Sequence, residues 1–249
     1  MLSKQKIKYI QSLKIKKYRQ KYSNFIVEGE KMALELLGDS RFPIENIIAL
    51  ETWVETHKLA LKPYFNKILT ATEADLKQIS NLTTPNKVFI IATQPTPYFN
   101  ETTLTNNYSL YLDGIQDPGN MGTILRIADW FSIPYVFCSD TCVDVWSSKV
   151  IQSSMGAFLR VKTMELPFDE LKNRFPKLPI FATILRGGNI FENTYPKQGI
   201  VVIGNEGSGV SEAIIHQTDY KIAIPGGGGA ESLNAAVATG IVCAVLKNS

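Results

Sequence analysis

Three short segments in the C-terminal half combine glycine with residue types that can hold and polarise a small ligand: asparagine, glutamate, serine and arginine. They are Asp117–Arg126 (DPGNMGTILR), Ile203–Gly209 (IGNEGSG) and Ile224–Asn234 (IPGGGGAESLN). Each follows an apolar run typical of a strand and precedes a run typical of a helix. Because α/β proteins bind ligands at the carboxyl ends of parallel strands, we expect the three segments to meet there in one site.

The first segment contains two candidate functional side chains, Asn120 and Arg126. Asn120 occupies a natural N-cap position, which would make it structural. Arg126 lies among apolar residues of the same helix, where a guanidinium needs an anionic partner. That partner is either a carboxylate of the chain, Asp129 or Glu206, or a phosphate or alkoxide of a substrate.

The glycines of the other two segments indicate close packing. Gly204 and Gly207, beside Glu206, permit close backbone approach, so that main-chain groups can hold a ligand. Gly226–Gly229 are conformationally costly and precede a helix of small residues, so we expect backbone or a cofactor to pack closely against both. The segments lack the dinucleotide-binding and phosphate-loop fingerprints, which argues against a nucleotide-dependent oxidoreductase or an ATPase.

The elements that would position these segments alternate regularly from Tyr108 onward. Strands are predicted over 109–113, 135–138, 180–185, 200–203 and 221–224, and helices are predicted to begin near 120, 149, 168, 211 and 232. This pattern predicts a parallel sheet covered by helices. The earlier residues predict a small α/β domain, and a polar, proline-containing stretch predicts a linker. The predicted division is a domain at 1–93, a linker at 94–107 and a domain at 108–249.

The basic residues are concentrated at the N-terminus. Residues 1–24 carry eight basic groups and no acidic one, whereas the remainder carries 18 basic and 23 acidic groups. This asymmetry favours a protein that binds a nucleic acid through its N-terminal segment. The alternative is a solvated lysine face that only keeps the protein in solution.

Composition argues against several other classes of protein. No apolar run is long enough for a membrane span, and no secretory h-region follows the N-terminal lysines, so we expect a cytoplasmic protein. Cys138, Cys142 and Cys243 are expected to be reduced thiols. Since Cys138 and Cys142 lack partners for a zinc site, no metal is predicted.

These residues, taken in order, resemble a known family. Asn120 with Arg126, Gly204 with Glu206 and Gly209, and Ile224-Pro225 followed by Glu231–Asn234 resemble the three motifs of the SpoU/TrmH ribose 2′-O-methyltransferases. The N-terminal Ile10–Arg19 and Phe25–Gly29 resemble the ribosomal-protein-like (L30e-like) substrate-binding domain of the family. The resemblance covers nearly the whole chain.

The resemblance implies an α/β-knot catalytic domain with a deep trefoil knot, a rare exception among folds. It implies S-adenosylmethionine bound in the knot, its adenine held mainly by backbone groups, and a homodimer whose sites are completed by both subunits. Carried over by motif, the cofactor pocket would be lined by Thr183, Gly204, Ile224, Ser232 and Leu233. The catalytic set would be Asn120, Arg126, Glu206, Ser232 and Asn234. Gly226–Ala230 depart from the family's bulkier residues, which implies a more mobile loop.

The implied reaction is methyl transfer to a ribose 2′-hydroxyl of RNA. Because arginine is a poor base, we expect Arg126 to stabilise the developing alkoxide and the adjacent phosphate, with the proton leaving through phosphate, Glu206 or water. RNA phosphates would be contacted by Lys14, Lys16, Lys17 and Arg19. The accessory domain favours ribosomal RNA; transfer RNA, or a non-catalytic RNA-binding role in ribosome assembly, are the alternatives.

Overall fold

The computed structural model describes residues 1–96 and 98–248, which form two compact units. The first combines Met1–Thr96 with Trp146–Leu159, and the second combines Pro97–Val145 with Arg160–Ser249. Pro97 of the predicted linker and Ser249 of the predicted second domain lie outside the described residues. Among the residues described, no helix has the length and apolarity needed to cross a bilayer.

The first unit is built on a four-stranded sheet. Its strands are β1 (Asn24–Glu28), β2 (Ile44–Leu50), β3 (Ile68–Ala71) and β4 (Val88–Thr93). They are ordered β1–β4–β2–β3; β4 is antiparallel to both neighbours, and β2 and β3 are parallel. The helices are α1 (Lys4–Ser12), α2 (Lys16–Tyr22), α3 (Glu30–Leu37), α4 (Glu51–Thr56), α5 (Lys58–Leu61) and α6 (Glu73–Ile79), and a 3-10 helix covers Lys62–Lys67.

Helical spacing places one face of α1 against this sheet. Ile10 and Leu13 are fully buried in a cluster that also contains Ile48 and Phe89. At the start of α6, Thr72 Oγ1 accepts from the Asp75 main-chain N at 3.2 Å, and the Asp75 carboxylate accepts from the Thr72 main-chain N at 2.9 Å. This capping box lowers the pKa of Asp75, chiefly through the bond from the Thr72 main chain.

The second unit is built on a six-stranded parallel sheet, as the alternating pattern predicts. Its strands are β5 (Tyr108–Asp113), β6 (Tyr135–Cys138), β7 (Lys162–Glu165), β8 (Ile180–Asn189), β9 (Gly199–Gly204) and β10 (Tyr220–Ala223), ordered β10–β8–β9–β5–β6–β7. The later helices of the chain are α7 (Glu101–Thr105), α8 (Pro118–Trp130), α9 (Ser148–Ser154), α10 (Ala157–Arg160), α11 (Phe168–Arg174), α12 (Glu212–Ile215) and α13 (Ala235–Asn248).

Small residues let α13 pack closely on α8. A Cβ placed on Gly240 would lie 3.7 Å from Ile127 Cδ1, and Ala236 and Thr239 are buried. The close partner predicted for this small-residue helix is therefore another helix.

The predicted domain division differs from the structure at two places. Trp146–Leu159 belongs to the first unit, where Trp146 and Phe158 pack on Phe25 of β1 with ring centroids 4.8 and 5.9 Å apart. The predicted linker contains α7, whose Leu104 is buried in the core of the second unit. Both contacts join residues far apart in sequence, so local patterns carry no sign of them.

Candidate active site

The three glycine-containing segments meet on the side of the parallel sheet where the strands have their carboxyl ends. They follow the carboxyl ends of β5, β9 and β10, and their side chains form a hydrogen-bonded chain. Asn234 Nδ2 donates to Asn120 Oδ1 at 2.8 Å, and Asn120 Nδ2 donates to Glu206 Oε1 at 2.9 Å. One residue from each segment takes part, so the predicted convergence is confirmed.

Asp117, not Asn120, caps α8. The Asp117 carboxylate accepts from the Asn120 main-chain N at 2.8 Å, and Pro118 follows in the first turn. The interpretation of Asn120 as a cap is therefore wrong, because aspartate three residues earlier is an equally good cap. The Asn120 amide is instead engaged between Asn234 and Glu206.

Asn234 has a structural and a connecting role at once. Its Oδ1 accepts from the main-chain N of Ala236 at 2.9 Å and of Val237 at 3.2 Å, which caps α13. Its Nδ2 is the donor to Asn120. The amide side chain offers an acceptor for the cap and a separate donor for Asn120, which a carboxylate does not. The helix predicted from Ser232 therefore begins just after Asn234.

Glu206 is exposed, and neutral donors face its carboxylate. Besides Asn120, the main-chain N of Asp117 approaches Oε1 at 3.4 Å and that of Gln116 approaches Oε2 at 3.5 Å. These donors come from the start of the first segment. Glu206 therefore fixes the second segment to the first through neutral donors, and no lysine or arginine among the described residues pairs with it.

The loop after β9 is closed by its own backbone. A Cβ on Gly204 would lie 2.2 Å from the carbonyl carbon of Gly209, so only glycine fits there. Asn205 Oδ1 accepts from the main-chain N of Gly207 at 2.9 Å, and its Nδ2 donates to Gly114 O at 2.7 Å. Sequence reasoning missed this role of Asn205, for which its position at the start of a Gly-containing turn was a signal.

Arg126 is exposed, and the carboxylate partners proposed for it are engaged elsewhere. Asp129 pairs with Arg160 Nε at 2.9 Å, and Glu206 accepts from Asn120. Arg126 makes no hydrogen bond or ion pair within residues 1–96 and 98–248. Of the two alternatives for its partner, a pair with a carboxylate of the chain is not formed, because Ile124 and Leu125 of α8 turn inward while Arg126 faces solvent. Its guanidinium is free to meet an anionic ligand.

Arg126 and Asn120 face different directions on α8. The two residues are six positions apart, which in an α-helix means about 9 Å along the axis and about 120° around it. Arg126 shares its face with Trp130, one turn later, whose side chain is 84% exposed. This face of α8 therefore presents a cation and a large apolar ring to solvent.

The third segment leaves its main chain unpaired. No main-chain N–H or C=O group of residues 224–233 forms a hydrogen bond with another described residue. A Cβ on any of the glycines Gly226–Gly229 would meet nothing within 4 Å. The close partner expected for this run is thus absent from the described part of the chain.

The residues predicted to line a cofactor pocket differ in exposure. Thr183, Gly204 and Ile224 are half-buried, whereas Ser232 and Leu233 are exposed, Leu233 by 48%. Thr183 Oγ1 donates to Val202 O at 2.8 Å. The Ser232 hydroxyl has no hydrogen-bond partner among the described residues.

The N-terminal basic residues also differ. Lys16 and Lys17 are exposed. Lys14 is half-buried, its Nζ donates to Ser80 O at 3.1 Å, and burial lowers its pKa. Arg19 is 3% exposed and donates from Nη1 to Leu13 O at 2.8 Å. The prediction that Arg19 contacts RNA phosphates is not supported, because its guanidinium ties α2 to the end of α1.

The three cysteines are buried, free thiols. A hydrogen bond with Cys138 lowers the pKa of Cys142 to about 7, and burial raises that of Cys243 to about 12. Among the described residues, no group of three or more histidine, cysteine, aspartate or glutamate side chains is arranged to hold a metal ion.

Residues 107–244 match the sequence model of the SpoU rRNA Methylase family. The chain belongs to this family. Residues 4–90 match a second model, the MRM3-like substrate binding domain. The resemblance drawn from the three motifs and from the N-terminal segment is therefore confirmed.

Relatives of nearly full length support the assignment. The 23S rRNA (guanosine(2553)-2′-O)-methyltransferase RlmP of Bacillus subtilis (strain 168) is 30% identical over 244 residues, or 96% of this chain and 94% of that one. A protein from Porphyromonas gingivalis assigned to the TrmH family of RNA methyltransferases has a solved structure with a TM-score of 0.89 at 34% identity, covering 100% and 99% of the two chains. The AdoMet-bound rRNA methyltransferase from Sinorhizobium meliloti shares the fold, with a TM-score of 0.87 at 24% identity and coverage of 100% and 96%.

Proposed function

We propose that this protein transfers a methyl group from S-adenosylmethionine to a ribose 2′-hydroxyl of ribosomal RNA. The observation that carries the proposal is the chain Asn234–Asn120–Glu206, which joins the three family motifs at one edge of the sheet. The B. subtilis relative, named for 2′-O-methylation of a guanosine in 23S rRNA, supports the choice of reaction and of RNA class.

The cofactor would bind at the third segment. The unpaired main-chain groups of residues 224–233 suit an adenine held by backbone hydrogen bonds, and the open space around Gly226–Gly229 leaves room for it. Thr183, Gly204, Ile224, Ser232 and Leu233 would line the pocket. When bound, S-adenosylmethionine supplies a methyl group on a sulfonium. The solved S. meliloti structure, which contains AdoMet, supports this fit.

The chain's own side chains would align the ribose and stabilise charge. Methyl transfer requires the 2′-oxygen to approach in line with the methyl group, and alignment alone lowers the barrier by several kcal/mol. Arg126, exposed and unpaired, would stabilise the developing alkoxide and the neighbouring phosphate. Asn120 and Asn234 would hold Glu206 and the cofactor loop in register, and the free Ser232 hydroxyl would position the substrate. The proton would leave through phosphate, Glu206 or water.

We also propose a homodimer whose two sites are each shared between subunits. Within one chain, Arg126 and Asn120 diverge around α8. A second copy that covers the exposed Arg126–Trp130 face would bring the guanidinium of one subunit to the Asn120 site of the other and would bury Trp130.

Complementation tests the shared site. Arg126→Ala and Asn120→Ala should each abolish methylation as homodimers. When the two variants are mixed and allowed to exchange subunits, each heterodimer has one intact site, so about a quarter of the wild-type activity should return. No recovery, with heterodimers verified by differently tagged subunits, would show that both residues act within one subunit.

Three finer features complete the proposal. A deep trefoil knot is what membership of the family supports, and in this chain α13 follows the edge strand β10 and returns across the sheet to pack against α8 and β9. An L30e-like RNA-binding domain in the N-terminal part of the chain and a catalytic domain in the C-terminal part are supported by the ranges of the two sequence models, 4–90 and 107–244. Ribosomal RNA as substrate supports a cytoplasmic location.

The reaction is tested with purified protein, labelled S-adenosylmethionine, and ribosomal and transfer RNA from cells that lack the protein. Label should enter ribosomal RNA. The phosphodiester bond next to one ribose should then resist alkaline cleavage, because its 2′-hydroxyl is methylated. A map of ribose methylation in cells with and without the protein should show the same single position. Label in transfer RNA alone, or on a base, would contradict the proposal.

Arg126→Lys separates charge from geometry. Lysine keeps the positive charge but loses the planar fork, so activity should fall less than in Arg126→Ala. If both variants retain nearly full activity while RNA and cofactor still bind, Arg126 has no central role.

A further inference from the structure

The first unit contains a cavity of about 350 Å³ that no step of the proposed reaction uses. Ile26 and Phe89, from neighbouring strands, are buried residues of its lining, and Lys149 and Gln152 of α9 also line it. The segment Trp146–Leu159, which packs with the first unit, therefore completes the cavity. Its size is in the range of sites for small organic groups, which start at about 300 Å³.

Polar groups without hydrogen-bond partners among the described residues also line this cavity. The side chains of Asn81, Lys149 and Gln152 form no hydrogen bond with any described residue. Glu28 Oε1 accepts from Ser80 Oγ at 2.8 Å, from the Asn86 main-chain N at 3.1 Å and from Asn86 Nδ2 at 3.4 Å, whereas no described residue donates to Oε2. A cavity lined by buried apolar residues and by unpaired hydrogen-bonding groups suits a flat ring with polar edges.

The charges at the opening favour one kind of ring. Lys14 and Lys149 both line the cavity. One of the three N–H groups of the Lys14 ammonium donates to Ser80 O, which leaves two for a ligand. Two ammonium groups beside a slot for a flat ring match a nucleotide, in which a base and a phosphate are one sugar apart. Single-stranded RNA is read through unstacked bases inserted in this way.

We propose that this cavity binds one unpaired nucleobase of the RNA substrate, with Lys14 and Lys149 at the adjacent phosphates. The inference rests on the proposed function for the identity of the polymer. The unused Glu28 oxygen is an acceptor, so it favours bases with an exocyclic amino group, such as adenine and cytosine, over uracil, whose N3–H donor lies between two carbonyl oxygens that a carboxylate repels. The cavity thus adds a base-reading site to a basic surface that by itself carries no sequence information.

The test measures binding of single-stranded A6, C6 and U6 RNA to the full-length protein. The wild type should bind A6 and C6 about tenfold more tightly than U6. Glu28→Gln, which retains an acceptor for Ser80, should reduce that preference to less than about threefold. Gln152→Trp, which fills the cavity from a half-buried position of α9, should weaken all binding.

A matched pair of charge variants separates the cavity from general electrostatics. Lys149→Ala should weaken A6 binding about tenfold, whereas Lys62→Ala, an exposed lysine of the same unit outside the cavity, should change it less than twofold. Equal weakening by both, or equal affinity of the wild type for A6 and U6, would overturn the inference.

Methylation assays show which proposal fails. If the wild type methylates ribosomal RNA but Gln152→Trp changes neither RNA affinity nor base preference, the cavity inference is wrong and the proposed reaction stands. If the cavity variants lose oligonucleotide binding as expected but no RNA is methylated by the wild type, the base-binding site stands and the proposed reaction fails. S-adenosylmethionine affinity and thermal midpoint, unchanged in every variant, show that the fold is intact.

Discussion

Asn234→Asp should separate the stability of the fold from its activity. Asparagine and aspartate cap helices about equally well, so the bonds from Ala236 and Val237 to the side-chain oxygen of residue 234 should survive. A carboxylate at the N-terminus of α13 is also favoured by the helix dipole. The donor to Asn120 is lost, and two oxygen atoms then face each other across a contact that now measures 2.8 Å.

The magnitude follows from that single contact. A neutral hydrogen bond contributes about 1 kcal/mol, and replacing it by an oxygen–oxygen contact with a charge near the surface adds a repulsion of about 1 kcal/mol. A total of about 2 kcal/mol corresponds to about a 30-fold loss in kcat/KM if the chain to Glu206 aligns the site. The free energy of unfolding should change by less than about 0.5 kcal/mol, because the exposed side chain of residue 234 can turn away from Asn120 and the new carboxylate gains from the helix dipole.

Methylation kinetics and thermal unfolding of three proteins test this reasoning. Asn234→Ala should lose both activity and about 1 kcal/mol of stability, because it removes the cap as well as the donor. Asn173→Asp makes the same change on an exposed helical position of the second unit and should affect neither. An Asn234→Asp variant with wild-type kcat/KM, or one that unfolds as early as Asn234→Ala, would refute the division of roles.

Three further predictions concern other contacts. Gly204→Ala should lower stability by about 2 kcal/mol or more, measured by thermal unfolding, because its Cβ would collide with backbone, while Gly207→Ala, with 3.5 Å to the nearest atom, should be mild. Reversing Lys16 and Lys17 to glutamate should weaken RNA binding and reduce its salt slope by about 1 to 2, measured by titration at several salt concentrations. The ionised Asp75 carboxylate, whose pKa is lowered in the folded protein, stabilises the fold at pH values above the usual carboxyl pKa of about 4. This stabilisation is lost as the pH falls through the lowered pKa. Asp75→Asn should therefore reduce the difference in thermal midpoint between pH 7 and pH 3.

The elements with strong local patterns could be predicted from the sequence. Ile10 and Leu13 recur at helical spacing and are buried on α1, and the apolar runs of β5 and β9 form the centre of the parallel sheet. The strand β7 (KTME) has no apolar run, since it lies at the sheet edge and its first residues are only half-buried, so nothing local marked it. A strand is recognised in a sequence by the pattern of its buried apolar residues, and an edge strand such as β7 has few of these.

Within the candidate site, the sequence predicted which residues meet but not what each one does. Asn120, Glu206 and Asn234 converge as the order of the motifs implies, because parallel strands end at a common edge. The cap of α8 was assigned to Asn120 although Asp117 provides it. Residue type fixes the bonds that a side chain can make; which of them it makes depends on neighbours that are up to 114 positions away.

The aromatic packing of Trp146–Leu159 changes how the two functions of the chain should be separated. Deleting residues 1–90 would test the RNA-binding role only if the remaining residues kept their structure. Phe25 packs against Trp146 and Phe158, so the deletion would expose these rings to water. Burying a large aromatic side chain contributes about 2 to 3 kcal/mol, and a truncated protein could lose activity through misfolding alone. Charge reversal at the exposed Lys16 and Lys17 leaves that packing intact, so a selective loss of RNA binding there assigns the function without removing the structure.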